Sequence, residues 1–130
     1  LWGVLGLIIP THHESGKSFL RGWSFLGTVF TLALSVAIYQ RYQANGPDFQ
    51  LVETTPWLGN LGIFYSVGID GISLWLIMLT TFLMPIVVMG SFRAIENRER
   101  EYYFLLLALE TGMLGAFVAL DVFLFYVFWE

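Results

Sequence analysis

The 130-residue chain has no cysteine, only six basic side chains, and charged residues at only 12% of its positions. Without cysteine there is no disulfide, no thiolate zinc site and no iron–sulfur cluster. Six lysines and arginines against ten acidic residues leave a net charge of −4, which supplies no basic surface for nucleic acid. A soluble domain is roughly 25% charged, so about half the usual supply is missing. What charge there is lies unevenly, with nineteen uncharged residues between Arg21 and Arg41 and twenty-two between Asp70 and Arg93. Runs of about 18 to 25 apolar residues match the hydrocarbon thickness of a bilayer. With 57% apolar residues and a mean hydropathy of +0.71, the chain reads as an all-α polytopic membrane protein.

The pattern predicts spans near 22–40, 71–92 and 102–120, with partial spans at 1–9 and 122–130. The apolar run Leu1–Ile9 lacks a basic leader and a small-residue cleavage site, so it does not read as a signal peptide. It is too short to cross and is expected to be the tail of a helix. Loops are expected at 10–21, 41–70 and 93–101. Within the second, PWLGNLGIFY (Pro56–Tyr65) is apolar but short, and is expected to lie at the interface or fold back on the protein. Trp23, Tyr39 and Tyr42 sit near the ends of the first full span, as interfacial aromatic belts require. Pro85 falls inside the second and is expected to kink it. The outer two loops carry Lys17, Arg21, Arg93, Arg98 and Arg100, the middle one only Arg41. That asymmetry assigns loops 10–21 and 93–101 to the cytoplasmic side.

Tyr102–Glu130 is too long for one untilted helix, and Asp121 is the natural break, a good helix N-cap. Nine residues follow it and rise about 13–14 Å, roughly half the hydrocarbon core. Glu130 is therefore expected near the membrane midplane, with the protein continuing beyond it. Its helical face carries Phe123, Tyr126 and Val127, none of which neutralises a carboxylate. Unpaired in hydrocarbon it stays protonated; beside a buried lysine it ionises. A group of that kind can exchange a proton, the alternative being a structural hydrogen bond. Glu110, midway along its span, suits either a packing and hydrogen-bonding role or a second protonatable site. Opposite its Met113, Leu114 and Phe117 face lie Ala108, Gly112, Gly115 and Ala116, a small-residue surface for close helix approach.

Other features read as structural. Asp70 is expected to cap the second span. His12 and His13, beside Glu14, are expected to be solvated rather than metal ligands, and Glu96–Arg100 forms a surface i,i+4 pair. GVLG and GIDG lack the remaining residues of a phosphate loop.

GIDGIS (68–73), LALETGMLGAFVALD (107–121) and LFYVFWE (124–130) together resemble the antiporter-like subunit M, chain 4 in mitochondria, of proton-pumping NADH:quinone oxidoreductase, respiratory complex I. The resemblance is close from Pro56 to Glu130 and one of layout before that. It implies a 14-helix subunit of which this sequence holds the end of helix 1, helices 2 to 4 and the first half of helix 5. It also matches Glu130 to the family's helix-5 glutamate, whose lysine partner lies on a later helix. No cofactor is implied in this chain, since NADH, FMN, iron–sulfur clusters and quinone belong elsewhere in the complex. The implied partners are other membrane subunits and the lipid bilayer, in the bacterial inner (plasma) membrane rather than the mitochondrial one. An Mrp-type cation/proton antiporter or membrane-bound hydrogenase subunit is the alternative. Mrp-type sequences read more like FNLFVFFE than the LFYVFWE found here. A scaffold subunit without transport is a third reading.

Overall fold

In the computed structural model the described residues are 2–7, 14–43, 45–58, 63–95 and 98–130. They form α1 (Trp2–Leu7), α2 (Glu14–Arg41), β1 (Gln50–Leu58), β2 (Ile63–Ile69), α3 (Gly71–Ala94), α4 (Glu99–Val118) and α5 (Val122–Trp129). Three of these, α2, α3 and α4, are long and apolar enough to cross a bilayer. Together they make the chain an integral membrane protein. His12, His13, Glu96, and the outer residues of the 1–9 run lie outside the described residues.

The three long helices run up, down and up, with a buried apolar cluster at each end. Leu20, Val88 and Tyr103 meet where α2 begins, α3 ends and α4 begins. Ile69, Leu74 and Ile77 meet at the opposite end, against Ile38, Tyr42 and Phe117. Much of the remaining apolar surface faces outward, including Ile72 and Val122, as lipid or neighbouring helices require. α1 packs against both α4 and α2, and on the α2 side the Trp2 and Trp23 rings stack at 4.2 Å.

Three of the expected loops are corrected. The polar stretch expected as loop 10–21 is helical from Glu14 onward. Its polarity signals distance from hydrocarbon rather than loss of helix, and an ion pair to α4 holds the added turns. Likewise the expected loop 93–101 is shorter, because α3 runs to Ala94 and α4 starts at Glu99. The 41–70 connection is not simply a loop. It contains an antiparallel hairpin in which Glu53, Thr54, Thr55 and Pro56 pair with Val67, Ser66, Tyr65 and Phe64. Val52, Thr54, Thr55 and Val67 are β-favouring residues, a signal overshadowed by the loop-forming prolines and glycines nearby. Pro56 has no N–H to offer a ladder, and the register shifts directly after it. α3 continues as helix through Pro85, which is buried.

The hairpin positions the end of α4. Leu120 donates its N–H to the Ser66 carbonyl at 2.9 Å, and Val67 bridges Ala119. A Cβ on Gly68 would come within 2.8 Å of Leu120 Cδ1, so glycine permits this close approach. Backbone freed between two helices is thus satisfied by β2 rather than left bare at the membrane.

Candidate functional site

Between the two apolar ends lies a polar layer. Thr28 and Ser35 of α2, Thr81 of α3 and Glu110 of α4 are all buried. Thr31 and Ser35 follow Thr28 at helical spacing and share its face. Ser35 and Thr81 share a hydrogen bond of 2.8 Å between their hydroxyls, and Thr81 also donates to the Ile77 carbonyl at 2.9 Å. Thr31 Oγ1 lies 2.5 Å from Glu110 Oε1. The Glu110 residue is only 2% exposed. A carboxyl in mid-span, which the bilayer penalises when charged, is therefore enclosed by the protein and met by a hydroxyl.

Asp121 caps α5, its carboxylate accepting the N–H groups of Phe123 at 2.9 Å and Leu124 at 3.3 Å. α5 then folds back along α4, and the small surface expected on α4 is what receives it. The Phe128 ring lies over Gly115, whose hydrogen occupies the space a Cβ would take, and the Phe128 carbonyl is 3.2 Å from a Cβ placed on Gly112. Glu130, two residues on, donates its N–H to Tyr126 at 3.0 Å. Its groove is lined by Leu105, Ala108, Leu109, Gly112 and Met113 of α4, positions that bracket Glu110 along the helix. The two carboxyls are not brought together. Glu110 lines a different groove, with Trp2, Thr31, Thr111 and Val127, and both grooves share Ala108, Gly112 and Phe128. Among the described residues no basic side chain pairs with Glu130.

One cluster was not foreseen. Glu99 is 4% exposed and accepts two hydrogen bonds from Arg21, Nε to Oε2 at 3.0 Å and Nη2 to Oε1 at 2.9 Å. Lys17 Nζ stands 4.0 Å from the same carboxylate. In the sequence both partners fall in connections expected at one membrane end, which is the available signal; the helical registers that aim them at each other are not visible there. The expected Asp70 cap forms, with the Ser73 N–H and hydroxyl both donating to Oδ1 at 2.6 Å. These bonds, the hydroxyl's first, hold the Asp70 carboxyl below its usual value. No group of three or more metal-ligating side chains occurs among the described residues.

Comparison with known proteins decides the family. The profile of NADH-ubiquinone oxidoreductase chain 4, amino terminus, matches residues 4–116. The chain belongs to this family. It is 34% identical over 122 residues to F(420)H(2) dehydrogenase subunit M of Methanosarcina mazei, covering 94% of this chain and 25% of that protein. Against NADH-quinone oxidoreductase subunit M of Rhodobacter capsulatus it is 42% identical over 103 residues, 79% of this chain and 20% of the relative. Against NADH-ubiquinone oxidoreductase chain 4 of Marchantia polymorpha it is 34% identical over all 130 residues, 26% of the relative. The chain therefore spans about a quarter of the length of the curated relatives it matches.

Proposed function

We propose that this chain is part of a proton-translocating membrane subunit of NADH:quinone oxidoreductase, in which Glu130 relays a proton at the midplane. The observation that carries the reading is geometric. Asp121 fixes the start of α5, and the nine residues after it rise about 13–14 Å, to mid-bilayer depth. A carboxyl there changes charge when a cation approaches and changes back when it leaves. Its lysine partner would come from a later helix of the full subunit. Any movement of that pair couples conformation to proton transfer. Quinone reduction, with NADH, FMN and iron–sulfur chemistry in other subunits, would supply the drive. The chain itself performs no redox step.

The relatives named above support membership of such a complex, including one in which F420H2 is the named donor, so the donor is not encoded in this region. We place the protein in a bacterial inner membrane beside other membrane subunits of the complex, with the connections near Arg21 and Glu99 toward the cytoplasm. The test is Glu130→Gln in the full-length subunit within its assembled complex. Assembly should persist while proton pumping and coupled quinone reduction fall more than about tenfold, as loss of a proton-transferring group requires. Glu130→Asp should retain part of the activity. Wild-type pumping by Glu130→Gln would make Glu130 a structural residue.

A further inference from the structure

The relay reading leaves Glu110 unused, yet the protein builds a specific environment for it. Thr31 Oγ1 stands 2.5 Å from Glu110 Oε1 and also 2.9 Å from the Thr28 carbonyl. A hydroxyl has one proton, so Thr31 cannot donate to both. Two arrangements satisfy the geometry. With Glu110 ionised, Thr31 donates to the carboxylate. With Glu110 neutral, the acid donates to Thr31 Oγ1, and Thr31 donates to Thr28. Rotation of one hydroxyl converts the first into the second, so both charge states of the acid are provided for.

The surrounding charges do not lock either state. Around the Glu110 groove, α1 contributes Trp2, Gly3 and Val4, α2 contributes Gly27 and Thr31, and α5 contributes Val127 and Phe128. None of these is ionisable. The α3 hydroxyl of Thr81 is engaged with Ser35, and β2 meets the chain at Ala119 and Leu120, more than two turns beyond Glu110. Lys17 and Arg21 face Glu99, at the head of α4. Glu130 lines the other groove. No fixed cation thus holds Glu110 ionised among the described residues, and a groove of about 430 Å³ reaches it, room enough for water.

We infer that Glu110 is a second proton-exchanging acid, served by this groove and switched by Thr31, on the opposite side of Phe128 from Glu130. On release, the Glu110 O–H bond breaks, the proton passes to water in the groove, and the Thr31 hydroxyl turns from Thr28 to the carboxylate. Loading reverses each movement, and no electron is transferred. The inference rests on the chain working in a redox-driven complex, but not on Glu130 being the relay.

The test is infrared difference spectroscopy, NADH-reduced minus oxidised, on the complex holding the full-length subunit. A carboxylic-acid carbonyl band should be lost in Glu110→Gln, shift in Thr31→Val and keep its position in Thr31→Ser. Coincident wild-type and Glu110→Gln spectra would overturn the inference, and an unmoved band in Thr31→Val would overturn the switch. The threonine variants decide the matter even where Glu110→Gln fails to assemble. Glu130→Gln separates the two readings. A Glu110 band that persists in it alongside wild-type pumping refutes the relay alone; coincident spectra with lost pumping refute Glu110 alone.

Discussion

Gly115 offers the sharpest perturbation, because its neighbourhood sets where α5 lies. A Cβ at this position would stand 2.5 Å from Cγ and 2.6 Å from Cε1 of Phe128, far inside van der Waals contact. The ring belongs to the helix that carries Glu130, so Gly115→Ala must push α5 away from α4. Overpacking of this kind costs about 1–3 kcal/mol. It is set against roughly 0.8–1 kcal/mol gained when a helical glycine becomes alanine. Gly90 isolates the second effect, since a Cβ there meets nothing within 4 Å. Gly90→Ala should therefore stabilise, whereas Gly115→Ala should be neutral to destabilising by about 2 kcal/mol. The assay is thermal dissociation of the complex carrying each full-length variant, with proton pumping measured in parallel. Gly115→Ala should also lose pumping, because Glu130 leaves its groove, while Gly90→Ala should not. Equal thermal shifts in the two variants, or full pumping by Gly115→Ala, would refute the packing argument.

Removing the charge of Arg21 in Arg21→Met leaves Glu99 buried with Lys17 as its remaining cation among the described residues. Breaking a buried pair from one side costs about 3–5 kcal/mol, and the Lys17 charge should bring the loss to the lower end. The double variant Arg21→Met, Glu99→Leu should recover most of that stability; a double variant as unstable as the single would show the pair does not couple. At Asp70, the depressed carboxyl value means the cap's charge-dependent contribution is present above the ordinary carboxylate range. It is lost as pH falls through the lowered native value. Asp70→Asn should remove this acid-side slope when stability is followed from pH 7 to about 3, and Asp70→Ala should cost about 1 kcal/mol throughout the neutral range.

The helical frame was legible because uncharged length is a property of the sequence itself: α3 fills the run between Asp70 and Arg93 almost to the residue. Caps were legible for the same reason, since Asp70 and Asp121 act on neighbours two and three positions away. The small surface of α4 could be read from spacing, although not that Phe128 would occupy it. What escaped reading depended on distant partners. Seventy-eight residues separate Arg21 from Glu99, and seventy-nine separate Thr31 from Glu110. No local period encodes such meetings. The hairpin was hidden because its turn-forming residues and its strand-forming residues are interleaved, and Pro56 sits inside β1 itself.

Glu130's place is determined more by rotation than by the strength of any single cap. The break before α5 is held from outside, by the Leu120 N–H on Ser66, and the far end is held by Phe128 on Gly115. Asp121→Ala removes the bonds to Phe123 and Leu124, costing about 1 kcal/mol and loosening the first turn. Both outer anchors remain, so pumping should largely survive. Insertion of one alanine between Val122 and Phe123 keeps the cap but turns everything after it by about 100° and advances it about 1.5 Å. Phe128 then leaves Gly115, and Glu130 leaves the groove lined by Ala108 and Gly112. Pumping in the assembled complex should fall to the level of Glu130→Gln, although every side chain is retained. If the insertion pumps normally while Asp121→Ala does not, the cap and not the helical phase governs Glu130, and the rotation argument must give way to one about the start of α5 alone.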